Sequence, residues 1–166
     1  MLFKKITILI FLILFSFSAT ANAPRSTGKY KNWESFTVQT DKGKICFAQT
    51  TPTKRAPASI KREKSKLFVT FRPSEDISDE VSMTSGHDYK SSTVTASSGK
   101  KRYSFFSQKN FAWLLDDQEE RAFIKTMKRA TNVIVKARTT KGAETTDHYS
   151  MMGFTKAYNT AKKTCS

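Results

Sequence analysis

The chain has 166 residues, and its 29 Lys and Arg residues outnumber its 14 Asp and Glu residues to give a formal net charge of +15. This length fits one domain, and neither an internal repeat nor a Gly/Ser-rich linker divides it. Most of the thirteen Phe residues lie outside the N-terminal segment and supply a core, and no later segment is apolar enough to cross a bilayer.

The N-terminal segment has the layout of a secretory signal peptide. Lys4 and Lys5 precede an apolar run from Ile6 to Phe17, and small-residue cleavage sites follow at Ala21 and Ala23. We therefore predict a signal peptide over residues 1–21, with cleavage after residue 23 as the alternative. An uncleaved N-terminal anchor is a third interpretation, which the small-residue sites disfavour. The expected location is periplasmic or extracellular.

Removal of the signal peptide leaves a net charge of +13. In an exported protein this charge does not suggest nucleic acid as a partner. Anionic envelope lipid, polysaccharide or an acidic protein are the expected targets. The competing interpretation is a solvated basic surface, because the lysines are spread along the whole chain.

Residues 22–32 are polar and basic, and we predict a loose lead-in to a single domain over residues 33–166. Trp33 to Thr40 alternates apolar and polar residues, and Ile45 to Gln49 returns after a turn, which predicts a hairpin.

The next segment, Thr50 to Lys66, contains two prolines and the densest group of basic residues, which predicts an exposed loop. We interpret it either as an anion-binding loop or, preferably, as a solvated connector. Its basic residues are Lys54, Arg55, Lys61, Arg62, Lys64 and Lys66.

Five further strands are predicted before the first helix, with His87 exposed in a turn. They cover Leu67–Arg72, Ile77–Thr84, Ser91–Ser97, Arg102–Phe106 and a fully apolar, central Phe111–Leu115.

A helix follows, in which Asp117 and Glu120 have capping-box spacing. Its apolar side chains recur on one helical face; they are Phe123, Ile124, Met127 and Ala130. Two more strands, Asn132–Arg138 and Glu144–Ser150, precede the C-terminal helix.

Gly153 forms the corner that leads into the C-terminal helix. Apolar residues again recur along this helix at i, i+3, i+4 and i+7, which predicts a buried stripe; they are Phe154, Ala157, Tyr158 and Ala161. Many short antiparallel strands with two helices favour a mainly β fold, a β-sandwich first and a small barrel second.

Two cysteines remain in the mature chain, Cys46 and Cys165. An even count in a small exported domain predicts one disulfide that closes most of the chain into a loop.

Few residues suggest chemistry. His148 is the best single candidate, either as a catalytic residue or in a soft-metal site with Met83, Met151 and Met152. On a strand its neighbours point to opposite faces, so convergence is not expected. Helix capping accounts for the acidic residues at 116–120 better than paired catalytic carboxylates do. Trp33 and Trp113 suit either sugar stacking or core packing. No metal or cofactor is predicted.

The C-terminal segment Lys-Gly-x-x-Thr-x-Asp-x-Tyr-Ser-x-x-Gly-Phe-x-x-Ala, from Lys141 to Ala157, resembles the signature of the invasion-associated locus B family. These are exported proteins of alphaproteobacteria. The resemblance implies an immunoglobulin-like antiparallel β-sandwich, a periplasmic or outer-surface location, and no assigned activity. Other members often carry a further cysteine where Gln39 and Thr40 stand here.

The motif residues are expected to serve folding; they are Gly142, Asp147, Tyr149, Ser150, Gly153, Phe154 and Ala157. The sequence therefore predicts a non-enzymatic exported protein that binds or stabilises an envelope component. The alternative is a small periplasmic enzyme or metal-handling protein that uses His148.

Overall fold

A computed structural model describes residues 23–166, so the predicted signal peptide over residues 1–21 lies outside the described residues. The described part is mainly β. Its strands are β1 (Arg25–Tyr30), β2 (Trp33–Thr40), β3 (Gly43–Thr50), β4 (Lys54–Ala56), β5 (Lys66–Arg72), β6 (Ile77–Thr84), β7 (Val94–Ser98), β8 (Lys101–Gln108), β9 (Phe111–Trp113), β10 (Asn132–Arg138) and β11 (Glu144–Ser150), and its α-helices are α1 (Asp117–Met127) and α2 (Phe154–Thr164).

The strands form one continuous antiparallel ribbon in the order β1-β2-β3-β5-β6-β9-β8-β7-β10-β11-β4. The ribbon turns over at β8, whose residues 101–105 pair with β7 and whose residues 106–108 pair with β9. We call β1-β2-β3-β5-β6-β9 and the end of β8 the front sheet. The start of β8 with β7-β10-β11-β4 is the back sheet. This arrangement confirms the predicted β-sandwich with one inserted and one C-terminal helix.

Alternating side chains of both sheets fill one shared core. Val69 and Val81 of the front sheet and Val133 and Val135 of the back sheet are all buried in it. The indole N–H of Trp33 donates a hydrogen bond to the carbonyl oxygen of Ser150 at 2.9 Å, which joins β2 to the end of β11.

Helix α2 covers the inner side of the first strands of the front sheet. Its four-residue apolar stripe is buried as predicted. The ring of Phe154 lies 4.7 Å from that of Trp33, and the ring of Tyr158 lies 5.6 Å from that of Phe71. A disulfide joins Cys46 to Cys165, as predicted, and ties the end of α2 to β3.

Gly153 makes the corner before α2 with a φ of +95°, a backbone conformation that glycine adopts without steric cost. A Cβ at this position would overlap the carbonyl oxygen of Tyr30. The turn between β1 and β2 and the start of α2 can therefore approach each other closely only because residue 153 has no side chain.

Helix α1 begins one residue earlier than the predicted capping box. The carboxylate of Asp116, not Asp117, accepts hydrogen bonds from the backbone N–H groups of Gln118 and Glu119. Glu120 turns inward instead, and its Oε1 accepts the N–H of Val81 at 2.8 Å. Asp116 and Asp117 each have a glutamate three residues later, so the capping-box spacing does not select between them. The packing of Glu120 against β6 decides which of the two aspartates caps α1.

Two strand predictions need correction. The segment predicted to be a loose lead-in contains β1, which pairs with β2 along its whole length. An edge strand is stabilised by backbone pairing with its neighbour, so a polar sequence can form one as readily as an apolar sequence can. The apolar run Phe111–Leu115 ends as a strand at Trp113, and Leu115 is 74% exposed. Within residues 23–166, neither helix is long and apolar enough to cross a bilayer.

Candidate functional site: the cationic outer face of the back sheet

The structure divides the predicted anion-binding loop among several environments. The side chain of Arg62 is only 2% exposed and forms a two-pronged ion pair with Asp147, whose side chain is 1% exposed. Arg62 Nη1 lies 2.8 Å from Oδ2, and Nη2 lies 2.6 Å from Oδ1. Arg62 also donates to the carbonyl oxygen of Ser85 at 2.9 Å. Since these partners occupy its guanidinium, Arg62 is a structural residue rather than a ligand-binding one.

The other loop cations also separate. Arg55 donates to the carbonyl oxygen of Glu63, and its Nε lies 3.9 Å from Asp147. Lys66 extends over the ring of Phe68 on the front sheet, with Nζ 5.9 Å from the ring centroid. Lys61 and Lys64 are exposed on the connection that leads into β5. The loop is therefore not one cationic surface, and it contains the short strand β4.

Lys54 takes part in a different surface, which the strand register creates. On β10 and β11 the odd-numbered side chains from 133 to 137 and from 145 to 149 are buried, so the even-numbered ones face outward. Cross-strand pairing then places five outward residues in one row across the back sheet. In spatial order they are Arg102, Ser97, Ile134, His148 and Lys54.

A second row runs beside the first. It consists of Ser104, Thr95, Lys136, Thr146 and Ala56. Arg138 and Glu144 pair with each other beyond it. We call the two rows and this pair the cationic face. With neighbouring strands roughly 4.8 Å apart, five strands spread it over roughly 20 Å.

The charge of this face is predominantly positive. Glu144 is its one carboxylate among the described residues, and it lies 3.5 Å from Lys136 Nζ and 3.9 Å from Arg138 Nη2. No carboxylate in residues 23–166 is within ion-pair distance of Lys54 or Arg102. Short hydroxyl side chains, together with Ile134 and His148, separate the cations, so the surface is flat, and its cations and hydroxyls can donate hydrogen bonds to oxygen-rich anions.

His148 lies in the first row between Ile134 and Lys54. Its strand neighbours Asp147 and Tyr149 point into the core, as strand alternation predicts. Met151 is buried and Met152 is exposed in the turn that follows. Among residues 23–166 the structure brings no three His, Cys, Asp or Glu side chains together in a way that could hold a metal ion.

His87 is half-buried rather than exposed. Its Nε2 lies 2.9 Å from the hydroxyl of Thr145, and its ring packs edge-on against Tyr89 at 5.1 Å. Burial raises the pKa of the Tyr89 hydroxyl to about 12, so this phenol stays protonated and donates to Ser85. These contacts assign His87 and Tyr89 to the packing between the sheets.

The motif residues near the C-terminus lie in the core, in a turn or at the junction of β11 with α2. Asp147 pairs with Arg62, and Tyr149 is fully buried. Burial raises the pKa of Tyr149 well above its ordinary value, and its hydroxyl has no hydrogen-bond partner among the described residues. Gly142 occupies the β10–β11 turn with a φ of +87°. Ser150, Gly153, Phe154 and Ala157 lie at the junction of β11 with α2.

Sequence reasoning singled out only Lys54 and His148 of the cationic face. It missed Arg102, Lys136 and Arg138, although each occupies an outward position of a predicted strand. Their alternation was visible in the sequence, but the pairing of β7 with β10 and of β11 with β4 was not.

Comparison with protein-family models, with curated proteins and with solved structures finds no match to this chain.

Proposed function

We propose that this protein is an exported, non-enzymatic β-sandwich of the invasion-associated locus B type that binds an anionic component of the cell envelope. The C-terminal motif supports the family assignment, and the N-terminal segment and the disulfide between Cys46 and Cys165 support export. The observation that carries the binding function is the cationic face of the back sheet.

Phosphate-bearing lipid headgroups are the anions that this face fits best. A flat array of Lys and Arg gains attraction from every headgroup beneath it, and each basic residue near such a surface contributes roughly 1 kcal/mol. The hydroxyls of Thr95, Ser97 and Thr146 lie between the cations and can donate to phosphate oxygens. Binding of this kind to a surface of headgroups does not require a deep pocket.

Co-sedimentation with lipid vesicles tests the proposal. The protein should bind phosphatidylcholine vesicles that contain phosphatidylglycerol, should not bind pure phosphatidylcholine vesicles, and should dissociate as salt is added. The triple variant Lys54→Gln, Arg102→Gln, Lys136→Gln should bind roughly 100-fold more weakly, since three basic contacts are lost.

A matched control separates this face from net charge. The variant Lys42→Gln, Lys125→Gln, Lys163→Gln loses the same charge from exposed positions in the β2–β3 turn, α1 and α2. It should keep most of the affinity. Equal weakening by both triple variants would assign the binding to net charge alone, and no binding at low salt would contradict the proposed function.

A further inference from the structure

Aromatic side chains form a stripe on the outer side of the front sheet, on the opposite surface of the sandwich. Neighbouring ring centroids along the stripe are 5.3, 6.2, 6.4 and 5.9 Å apart. In order, the rings belong to Phe36, Phe47, Phe68, Phe111 and Trp113. They come from β2, β3, β5 and β9, so the sheet register assembles them.

These rings are unusual for an outward sheet face, which ordinarily carries polar residues. Each of the five is only half-buried, while the alternate residues of the same strands fill the core. Phe106 pairs with Trp113 across β8 and β9 and is 52% exposed. A contiguous apolar surface of this kind marks a binding site more often than isolated exposed residues do.

A shallow groove of about 370 Å³ lies along this stripe. Four of the rings line it, namely Phe47, Phe68, Phe111 and Trp113. The volume falls within the range of small-ligand sites, which are typically mostly apolar with a few polar groups.

The polar lining of the groove is neutral as a whole. Thr70 of β5 and Ser82 of β6 belong to the lining of the groove and each carries a hydroxyl group. Arg72 Nη2 donates to Glu80 Oε2 at 2.7 Å, so this cation and this anion compensate each other. The Nε of Arg72 is shielded from solvent and has no hydrogen-bond partner among residues 23–166, although Glu75 lies 3.5 Å away.

The ring planes of Phe68 and Phe111 differ by 28° and those of Phe111 and Trp113 by 24°, whereas Phe47 meets Phe68 edge-on. The groove thus offers three near-parallel rings beside neutral and paired polar groups.

We propose that this groove binds a neutral, β-1,4-linked oligosaccharide. The two faces of such a sugar chain present C–H groups that stack on the electron-rich faces of Phe68 and Trp113. Its hydroxyls, which project from the edges, reach Thr70, Ser82 and the Arg72–Glu80 pair. The spacing between ring centres is comparable to the length of one pyranose unit along a β-linked chain.

Other occupants fit the groove less well. An acyl chain would leave Arg72 and Glu80 against hydrocarbon, which costs free energy for charged groups. An anionic sugar or lipid would meet no uncompensated cation in the lining of the groove, because Glu80 balances Arg72. Lys66 lies outside this lining, with Nζ 5.9 Å from the centroid of the Phe68 ring. The groove and the cationic face lie on different sheets, so each can bind its ligand without the other.

Titration with two tetrasaccharides, cellotetraose and the β-1,4-linked tetramer of N-acetylglucosamine, tests this site by calorimetry and by tryptophan fluorescence. Trp33 is fully buried and lies in the core, so a change in emission on binding reports on Trp113. At least one tetramer should bind. Phe68→Ala and Trp113→Ala should each weaken binding roughly tenfold.

Trp113→Phe keeps a ring in the groove and should recover most of the affinity, which separates stacking from a loss of folding. Met152→Ser removes an apolar side chain that is 50% exposed outside the groove and should not affect binding. The triple variant of the cationic face should bind sugar like the wild-type protein.

Three results would overturn the proposal. The first is that neither tetrasaccharide binds at millimolar concentration. The second is that laurate binds while the sugars do not, and that Phe68→Ala abolishes laurate binding. The third is that the protein dimerises through this face and that Phe68→Ala makes it monomeric. Loss of vesicle binding by the cationic-face variant without loss of sugar binding would support two separate sites.

Discussion

Arg62 and Asp147 form a buried, two-pronged ion pair although 85 residues separate them in the chain. The pair joins the segment before β5 to the middle of β11, and Ser65 and the carbonyl of Ser85 accept further hydrogen bonds from the same guanidinium. A residue from the most basic segment of the sequence is therefore part of the interior.

Asp147→Asn should destabilise the protein by about 3–5 kcal/mol, because it leaves the buried Arg62 charge without a counter-charge. Urea unfolding measures this loss. Adding Arg62→Met should recover part of it, since the unpaired charge is then gone. A simple sum of the two single-variant effects would contradict direct coupling.

Glu144→Gln is the matched control on the same strand. Glu144 is about half exposed and pairs with Lys136 and Arg138 at the surface. Its replacement should change the free energy of unfolding by at most about 1 kcal/mol, which is the range of exposed ion pairs.

The disulfide between Cys46 and Cys165 should account for a large part of the stability. It spans a sequence separation of 119 residues. Loop closure of this length corresponds to about 4–5 kcal/mol in the chain-entropy model. The double variant Cys46→Ala, Cys165→Ala should have a free energy of unfolding that is lower by this amount, and its urea midpoint should fall accordingly. Reductant should lower the wild-type urea midpoint to the same value and leave that of the variant unchanged.

Thiol alkylation followed by mass analysis provides a direct check on this disulfide. Both cysteines of the native, non-reduced protein should be blocked. Two free thiols would contradict the predicted bond and its contribution to stability.

Glu120 should make stability depend on pH. The residue is 7% exposed, and the pKa of its carboxyl is raised from 4.5 to about 7. Burial is the main cause, the hydrogen bond from Val81 opposes it, and the nearby carboxylates Glu80, Asp117 and Asp79 add smaller upward contributions. The folded state therefore favours the protonated form. This contribution is fully present below pH 4.5 and is lost as the pH rises through about 7.

Glu120→Gln keeps an acceptor for the Val81 N–H and removes the ionisation. It should flatten the dependence of unfolding free energy on pH between 4.5 and 7 and stabilise the protein at pH 8 on the order of 2 kcal/mol. Glu119→Gln changes an exposed neighbour and should leave the pH dependence intact. An unchanged slope in Glu120→Gln would refute the assignment.

Two glycine substitutions distinguish backbone conformation from close approach. Gly142→Ala places a side chain at a φ of +87° in open space, and it should cost about 1–2 kcal/mol. Gly153→Ala meets the same kind of backbone penalty and also collides with the carbonyl of Tyr30, so it should cost at least about 3 kcal/mol. Equal costs, measured by thermal or urea unfolding, would argue against a tight junction between the β1–β2 turn and α2.

Local patterns in the sequence were sufficient for most elements. The strands Asn132–Arg138 and Glu144–Ser150 and the buried stripe of α2 follow from periodicity, and the disulfide follows from a count of two cysteines. The strands and the helical stripe depend on residues that are close together in the sequence, and two cysteines can form only one disulfide.

The tertiary structure decided which face of each strand points into the core and which strands lie beside it. On β5, Leu67 and Val69 face the core while Phe68 faces outward, and a strand with apolar residues on both sides gives no signal for this choice. Both surfaces proposed for binding arise from register between strands that are distant in sequence. The sequence by itself determined most of the elements and the disulfide, and only long-range pairing determined the edge strands β1 and β4 and where the charges and the aromatic rings meet.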